Sequence, residues 1–495
     1  MVHRRTKGKR RVAALSWAAS TVLAVLLGAC SSGNLSRFVV DTSLPARQPE
    51  RRTVELPPAQ QREHLRILGA YGGNYDDERL LSMLTTIVDK LVMASDRPDL
   101  KYQVTILNSP AVNAFALPGG QLYVTRGLVA LANDNSELAS VLAHEMAHVL
   151  ARHAAIREDQ ARQAALVNRV ATDLLSDPQL GALALAKSKI ALASFSRAQE
   201  FEADGIGVGI SARAGFDPYG AQRFLTSMGL NSHLRAQRAH IDPRAPDFLS
   251  SHPATPERVS NAQANARQFA APSGNPRDKN EYLAQLDGLV YGEDPSEGFV
   301  RGRRFLHPKL GFTFTAPEGF ALENTAQAVF GVKEGGEQAL RLDVVRVPAE
   351  QALSEYLVSG WIENIDQRSL GEFTVSGFPA ATATATGDHW TFRLYVVRFG
   401  SEVYRVIFAA KNRTDAVDRT FRDSLNTFRR MSIAEMQHAK PLRLRTVTVR
   451  AGDTPERIAR RMAIEDRPLE HFRVINGLSA SAKIAPGDRV KIVVE

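Results

Sequence analysis

The chain has 495 residues, 44% hydrophobic and 23% charged, with 34 Gly and 24 Pro. That is the composition of about three globular domains, and it excludes collagen, a long coiled coil and wholesale disorder. The formal net charge is +9, but Arg4, Arg5, Lys7, Lys9, Arg10 and Arg11 supply six of these charges from an acid-free start. The remainder is close to neutral, so nucleic acid is not an expected partner.

Residues 1–29 set the basic run before an uncharged stretch from Val12 to Ala29, the pattern of a secretory signal peptide. An uncleaved membrane anchor is the alternative. Leu27-Gly28-Ala29 leads directly into Cys30, the single Cys of the chain, which has no intramolecular disulfide partner. These four residues resemble the lipobox of bacterial lipoproteins. The resemblance implies cleavage before Cys30 and acylation of that residue. With Ser31 rather than Asp following, it also implies a periplasmic protein lipid-anchored at the outer membrane of a Gram-negative bacterium. Residues 30–60 carry scattered Ser, Gly and Pro without an apolar period and read as a tether.

From 61 to 270 the pattern is mainly helical and contains the chemistry. Ser136 or Asn135 can cap a helix running into His144-Glu145-Met146-Ala147-His148. Four residues advance a helix by about 400°, so the two imidazoles project about 40° apart and can grip one metal ion. Glu145 lies about 100° round from His144, within reach of a water at that metal. A hydrolytic zinc site takes three protein ligands and leaves one position open. Glu200, 52 residues beyond His148, is the candidate third ligand. Asp204, four residues further on the same expected helix, is placed to accept a hydrogen bond from a ligand imidazole. Glu202 is expected to face elsewhere. His153, about 140° round from His148 on an extrapolated helix, is expected at the surface.

The His-Glu-x-x-His helix, the Glu200-x-x-x-Asp204 helix and their order resemble the zinc metallopeptidase family that includes the CAAX prenyl protease and the HtpX membrane protease. The likeness is strongest to its periplasmic branch, the β-barrel assembly-enhancing proteases. It covers roughly residues 64–268 and implies a zincin-like (gluzincin) fold holding one Zn2+ per chain, with Glu145 as catalytic base. Asn113-Ala114-Phe115-Ala116, running on to Gly120 and followed by Leu122-Tyr123-Val124, resembles the family's edge strand beside the cleft. An exposed edge can align an extended peptide through backbone hydrogen bonds without demanding a sequence; an ordinary core hairpin is the plain alternative. Ser251-His252-Pro253, with Arg258 beyond it, resembles the element that closes over the metal. This implies that His252 either stabilises the oxyanion or binds zinc in a resting state.

Residues 271–298 are rich in Pro, Gly and Asn and read as a linker with one short helix near Tyr282. Region 299–432 changes period. Trp390, Phe392, Leu394 and Val396 alternate, a turn follows at Phe399–Glu402, and Val403 to Ala409 is apolar. This is a β-hairpin, succeeded by an amphipathic helix near Val417–Phe428, and the whole reads as a small α+β accessory domain. His307 and His389 stand alone there, as turn or surface residues. Segment 445–495 reads strand, helix, helix, strand. Its Gly452-Asp453-Thr454, Ile475-Asn476-Gly477-Leu478 and Pro486-Gly487-Asp488 resemble the lysin motif (LysM), a βααβ module that binds peptidoglycan glycans; Pro455 departs from the motif's usual Leu.

The expected architecture is thus multidomain α+β, with a mainly helical metallopeptidase domain, an α+β accessory domain and a βααβ LysM module. The expected function is a zinc endopeptidase acting on misfolded or assembly-stalled envelope proteins, held to the membrane through Cys30 and to the cell wall through LysM. A chaperone or scaffold of outer-membrane assembly that seldom cuts, a wall-binding structural protein and a peptidoglycan hydrolase are the competing readings.

Overall fold

In the computed structural model, residues 57–159, 195–236, 252–253, 255–269 and 276–495 are described. The expected signal peptide, Cys30 and nearly all of the tether lie outside the described residues, as does Ser251. Among the described residues, no helix is long and apolar enough to cross a membrane. The chain divides at Leu65/Arg66, within α1 (Pro58–Ala70), and from Arg66 to Glu495 it packs as one unit.

Helix α2 (Glu78–Ala94) starts at Asp77, whose carboxylate accepts from the Arg79 and Leu80 amides, and buries Leu80, Leu84, Ile87, Val88 and Leu91 at helical spacing. A three-stranded sheet follows, made of β1 (Gln103–Leu107), β2 (Ala114–Ala116) and β3 (Gln121–Thr125) in the order β1-β3-β2. β1 runs parallel to β3, and β2 pairs antiparallel with β3 as an edge strand.

The short α3 (Arg126–Leu131) leads into α4 (Asn135–Leu150), every residue of which is buried from Ser136 to His148. Its cap is Asp134, not Asn135 or Ser136. Those two lie one and two residues too late and bond Asp278 at 2.6 and 3.0 Å instead. Helix α5 (Arg197–Arg213) opens with a capping box of Ser196 and Gln199, and α6 (Gly220–Ala236) and α7 (Pro256–Ala266) complete the layer. Gly207 lets α5 lie directly on α4, since a Cβ there would stand 3.0 Å from the His144 amide nitrogen. That contact sets the spacing of the two helices that carry the candidate ligands.

Segment 271–298, expected as a linker, is packed in its described part. Helix α8 (Pro276–Gln285) fully buries Tyr282, whose hydroxyl donates to the Val129 carbonyl at 2.6 Å. Strand β4 (Val290–Tyr291) pairs with a strand near the C-terminus. The Pro and Gly content marks its turns, such as Gly288 and Gly292 at positive φ, not a spacer between bodies.

Next come β5 (Phe299–Arg301), β6 (Arg304–His307), β7 (Phe312–Thr315), β8 (Phe320–Asn324), β9 (Val329–Lys333), β10 (Gln338–Val345), α9 (Leu353–Leu357), β11 (Ile365–Val375), β12 (Phe378–Thr386), β13 (Thr391–Phe399), β14 (Glu402–Ala410), α10 (Asp415–Leu425) and β15 (Arg429–Arg430). They form a seven-stranded sheet, β11-β12-β13-β14-β10-β9-β8, and a four-stranded one, β15-β7-β6-β5. The expected hairpin is β13–β14, in register from Thr391↔Ala410 to Phe399↔Glu402. Helix α10 covers this sheet through Phe421, stacked on Phe408 with centroids 4.5 Å apart. His389 is exposed. His307, expected at a turn or the surface, is buried at the end of β6 beside the rings of Phe305 and Phe312. Strand alternation points it inward with Phe305.

After α11 (Ile433–His438), the C-terminal segment forms β16 (Leu442–Thr448), α12 (Pro455–Ala459), α13 (Pro468–Ile475) and β17 (Arg489–Val494). Pro455 sits at the first turn of α12, capped by Thr454, where its missing N–H costs nothing. β16 pairs with β17 on one side and β4 on the other. Leu444, Ile458, Phe472, Ile475 and Ile492 share one apolar core with Leu138, Leu142 and Phe224 of α4 and α6. The fully buried Lys491 donates to the carbonyls of Ala130, Leu131 and Ala132 at 2.8, 3.2 and 2.7 Å. Those carbonyls close α3, where a helix terminus favours a cation.

Candidate metal centre

The buried stretch of α4 presents His144, Glu145 and His148 to the first turns of α5. His144 Nε2 and His148 Nε2 lie 3.0 Å apart, as residues four apart on one helix face should. Across from them, Glu200 brings Oε2 to 3.5 Å from His144 Nε2 and Oε1 to 3.6 Å from His148 Nε2. His252 enters from outside both helices, with Nδ1 3.3 Å from His144 Nε2 and 2.9 Å from Glu200 Oε1. The donor atoms of His144, His148, Glu200 and His252 all fall within 4.8 Å of one another, and all four residues are buried.

Ligands of a tetrahedral zinc ion, at roughly 2.0–2.2 Å from it, stand about 3.3–3.6 Å from each other. The two separations from Glu200, 3.5 and 3.6 Å, match that spacing, the two imidazole nitrogens at 3.0 Å stand a few tenths of an ångström closer, and nitrogen with carboxylate oxygen is a donor set zinc accepts. A second observation agrees. Among the described residues, Glu145 Oε1 is buried with no hydrogen-bond donor, and His252 Nε2 stands 3.7 Å from it. Such an oxygen is costly unless water or an ion completes it.

Asp204 and Arg258 buttress the cluster. Asp204 Oδ1 lies 3.0 Å from His144 Nδ1, so Nδ1 carries a proton and Nε2 faces the other donors. Arg258 holds Asp204 through two bonds of 2.8 and 2.6 Å and pairs with Glu200 at 2.7 Å. Burial lowers the affinity of His144 for a proton, but Asp204 and Glu200 outweigh it and raise its pKa to about 9. Burial raises the pKa of Glu145 above its ordinary value, with the Glu200 carboxylate adding to the effect and His252 and His144 opposing it. Burial also holds His148 well below the ordinary imidazole range, where the neighbouring His144 and His252 add to the effect. For Glu200, burial opposes ionisation, but His144 and His252 prevail and keep it ionised.

His153 is not at the surface: it is 1% exposed, with Nδ1 2.8 Å from His148 Nδ1 and Nε2 3.3 Å from Glu202 Oε2. Helix α4 ends at Leu150, and Arg152 takes φ 56°, turning the chain back toward His148. The regular 100° step therefore does not extend to His153. Phe195 was not singled out from the sequence either. Its ring stacks on His148 with centroids 4.0 Å apart, and the Arg157 guanidinium lies over it at 4.4 Å. A third His within ten residues was the only signal for the first, and the lone aromatic gave none for the second.

Asn113 stands just before β2, buried, and its amide donates to the Tyr71 hydroxyl at 2.9 Å. Ala114, Phe115 and Ala116 form β2, with Phe115 stacked on Tyr123 at 5.0 Å. β3 is the single strand that pairs with β2 among the described residues.

Residues 80–266 match the sequence profile of Peptidase family M48. The β-barrel assembly-enhancing protease of Escherichia coli (strain K12) is 32% identical over 203 residues, covering 39% of this chain and 40% of that protein. That of Yersinia pestis is 32% identical over 228 residues, covering 44% and 45%. The mitochondrial metalloendopeptidase OMA1 of Schizosaccharomyces pombe is 32% identical over 177 residues, covering 36% and 50%. The chain thus spans half or less of each of these curated relatives, and the matched part is the part that carries the metal-type cluster.

Proposed function

We propose that this chain, whose residues 80–266 match the sequence profile of Peptidase family M48, is a zinc-dependent endopeptidase that cuts extended segments of misfolded or assembly-stalled envelope proteins. The observation that carries the reading is the donor-free carboxylate oxygen of Glu145 beside the His144, His148 and Glu200 donor set. A zinc ion held by those three residues, when bound, polarises a scissile carbonyl and acidifies a water. Glu145, whose proton affinity is raised by burial, would take a proton from an attacking water as that water's oxygen adds to the carbonyl carbon. It then gives the proton to the amine nitrogen as the C–N bond breaks. His252 Nε2, 3.7 Å from Glu145 Oε1, is placed to donate to the oxygen that gains charge. Its Nδ1, 2.9 Å from Glu200, equally suits a resting state in which it occupies the open position.

Substrate is taken along β2. An edge strand whose free side pairs with an incoming chain accepts any extended segment, which suits unfolded protein better than a fixed sequence. The wider reading rests on sequence. The basic and apolar start and Leu27-Gly28-Ala29-Cys30 support a lipid anchor in the periplasm. The strand–helix–helix–strand order of residues 442–494 supports a LysM-like glycan-binding module.

The test is zinc content beside casein cleavage for the wild type and Glu145→Gln. Equal zinc with cleavage lost is expected. Retained cleavage by Glu145→Gln, or a wild type that neither binds zinc nor cuts, overturns the proposal. Substrate accumulating in a Glu145→Gln strain separates a protease from a scaffold.

A further inference from the structure

We propose that His153 is a positioning residue that fixes the imidazole of His148 in the tautomer that turns Nε2 toward the metal. The inference rests on the zinc reading above and concerns residues that reading leaves unused. His148 Nδ1 and His153 Nδ1 are 2.8 Å apart, a distance that requires one proton between two nitrogens. On the zinc reading, His148 Nε2, which faces His144 Nε2 at 3.0 Å and Glu200 Oε1 at 3.6 Å, offers its lone pair to the metal. The shared proton therefore belongs to His148 Nδ1, and His153 Nδ1 accepts it.

For His153 to accept at Nδ1 while neutral, its own proton must sit on Nε2. There Glu202 Oε2 waits at 3.3 Å. The carboxylate takes hydrogen from His153 Nε2, and this sets the tautomer of His153 and through it that of His148. The two ligand imidazoles are thus oriented by different devices. His144 leans directly on Asp204 at 3.0 Å, whereas His148 reaches its carboxylate through a second ring. Glu202, with its side chain 59% exposed, ends the chain at the surface, and the left-handed turn at Arg152 makes the arrangement possible.

The test measures zinc affinity by competition with a chromogenic chelator, on the full chain, for the wild type, His153→Leu and His153→Asn. Partners of this kind are typically worth 10- to 100-fold in metal affinity, so His153→Leu is expected to bind zinc about 10- to 100-fold more weakly. The Oδ1 of Asn stands where Nδ1 stood, so His153→Asn is expected to stay within about threefold of the wild type. Wild-type affinity in His153→Leu, or an equal loss in both variants, overturns the proposal. A wild type that binds no zinc instead overturns the endopeptidase reading, which keeps the two failures apart. Should His153→Leu fail to fold, nitrogen-15 NMR of the zinc-loaded wild type decides. A protonated Nδ1 on His148 is expected, and a protonated Nε2 refutes the assignment.

Discussion

Gly207 lies against His144 so closely that a Cβ would meet its amide nitrogen at 3.0 Å and its Cα at 3.1 Å. Glu200 is carried by the same helix two turns earlier, so the distance between ligands depends on a side chain that is missing. In Gly207→Ala, helix propensity gains about 1 kcal/mol while overpacking costs about 1–3 kcal/mol. Stability is expected to fall by about 0–2 kcal/mol, while zinc affinity and casein cleavage should fall together as α5 moves outward. Unchanged zinc affinity in this variant would show that the helix spacing is set elsewhere.

Arg258 neutralises two buried carboxylates at once, Asp204 and Glu200. Removing one partner of a buried pair typically costs about 3–5 kcal/mol because a charge is left stranded. Arg258→Met is expected to lose about that much when a chelator strips the metal, and less in excess zinc, which itself balances Glu200 and stabilises the folded state by mass action. Urea unfolding with and without chelator measures both. An identical loss under the two conditions would place the zinc away from Glu200.

His307 gives a pH signature remote from the metal centre. Burial and then the nearby Lys309 lower its pKa from an ordinary 6.5 to about 4, and its Nδ1 accepts from the Leu310 amide, which requires the neutral ring. Between these two values the unfolded chain binds more protons than the folded one. Stability therefore rises with pH across the window and is lost as pH falls toward the lower value. His307→Asn keeps an acceptor but cannot titrate, so its stability should be flatter between pH 4 and 6.5. Equal slopes for variant and wild type would count against the assignment.

Lys491 joins the C-terminal segment to α3 by three hydrogen bonds from one ammonium. Bonds to charged groups are worth about 1.5–3 kcal/mol each, not fully additively, so Lys491→Met is expected to cost roughly 2–4 kcal/mol. The wild type should melt in one transition for the protease layer and residues 442–494. In the variant, limited proteolysis should release the C-terminal segment first. Two separate transitions in the wild type would contradict the shared core.

What the sequence revealed was governed by regular geometry. The four-residue spacings of His144 with His148 and of Glu200 with Asp204 survive intact because α4 and α5 are unbroken over those stretches. His153 was misplaced because the helix stops before it, at a left-handed Arg152 that no Gly or Pro announces. The cap of α4 falls one residue before Asn135 and two before Ser136, since Asp134, Asn135 and Ser136 all have the right chemistry and only the packing of Asp278 distinguishes them. The β13–β14 hairpin was legible from alternation. The integration of residues 276–298 and of β16 with the protease layer was not, because a strand two residues long leaves no periodicity to read.

Val290 faces Arg443 across the β4–β16 pair, so the chain departs from the protease layer and returns to it at neighbouring points. The intervening β-rich region is an excursion whose ends are already clamped together. Closing a longer or shorter loop between fixed ends changes the entropy only slowly, by about 0.6 kcal/mol per doubling. That excursion is therefore free to be enlarged, pared down or exchanged for an unrelated fold while the candidate metal centre keeps its register.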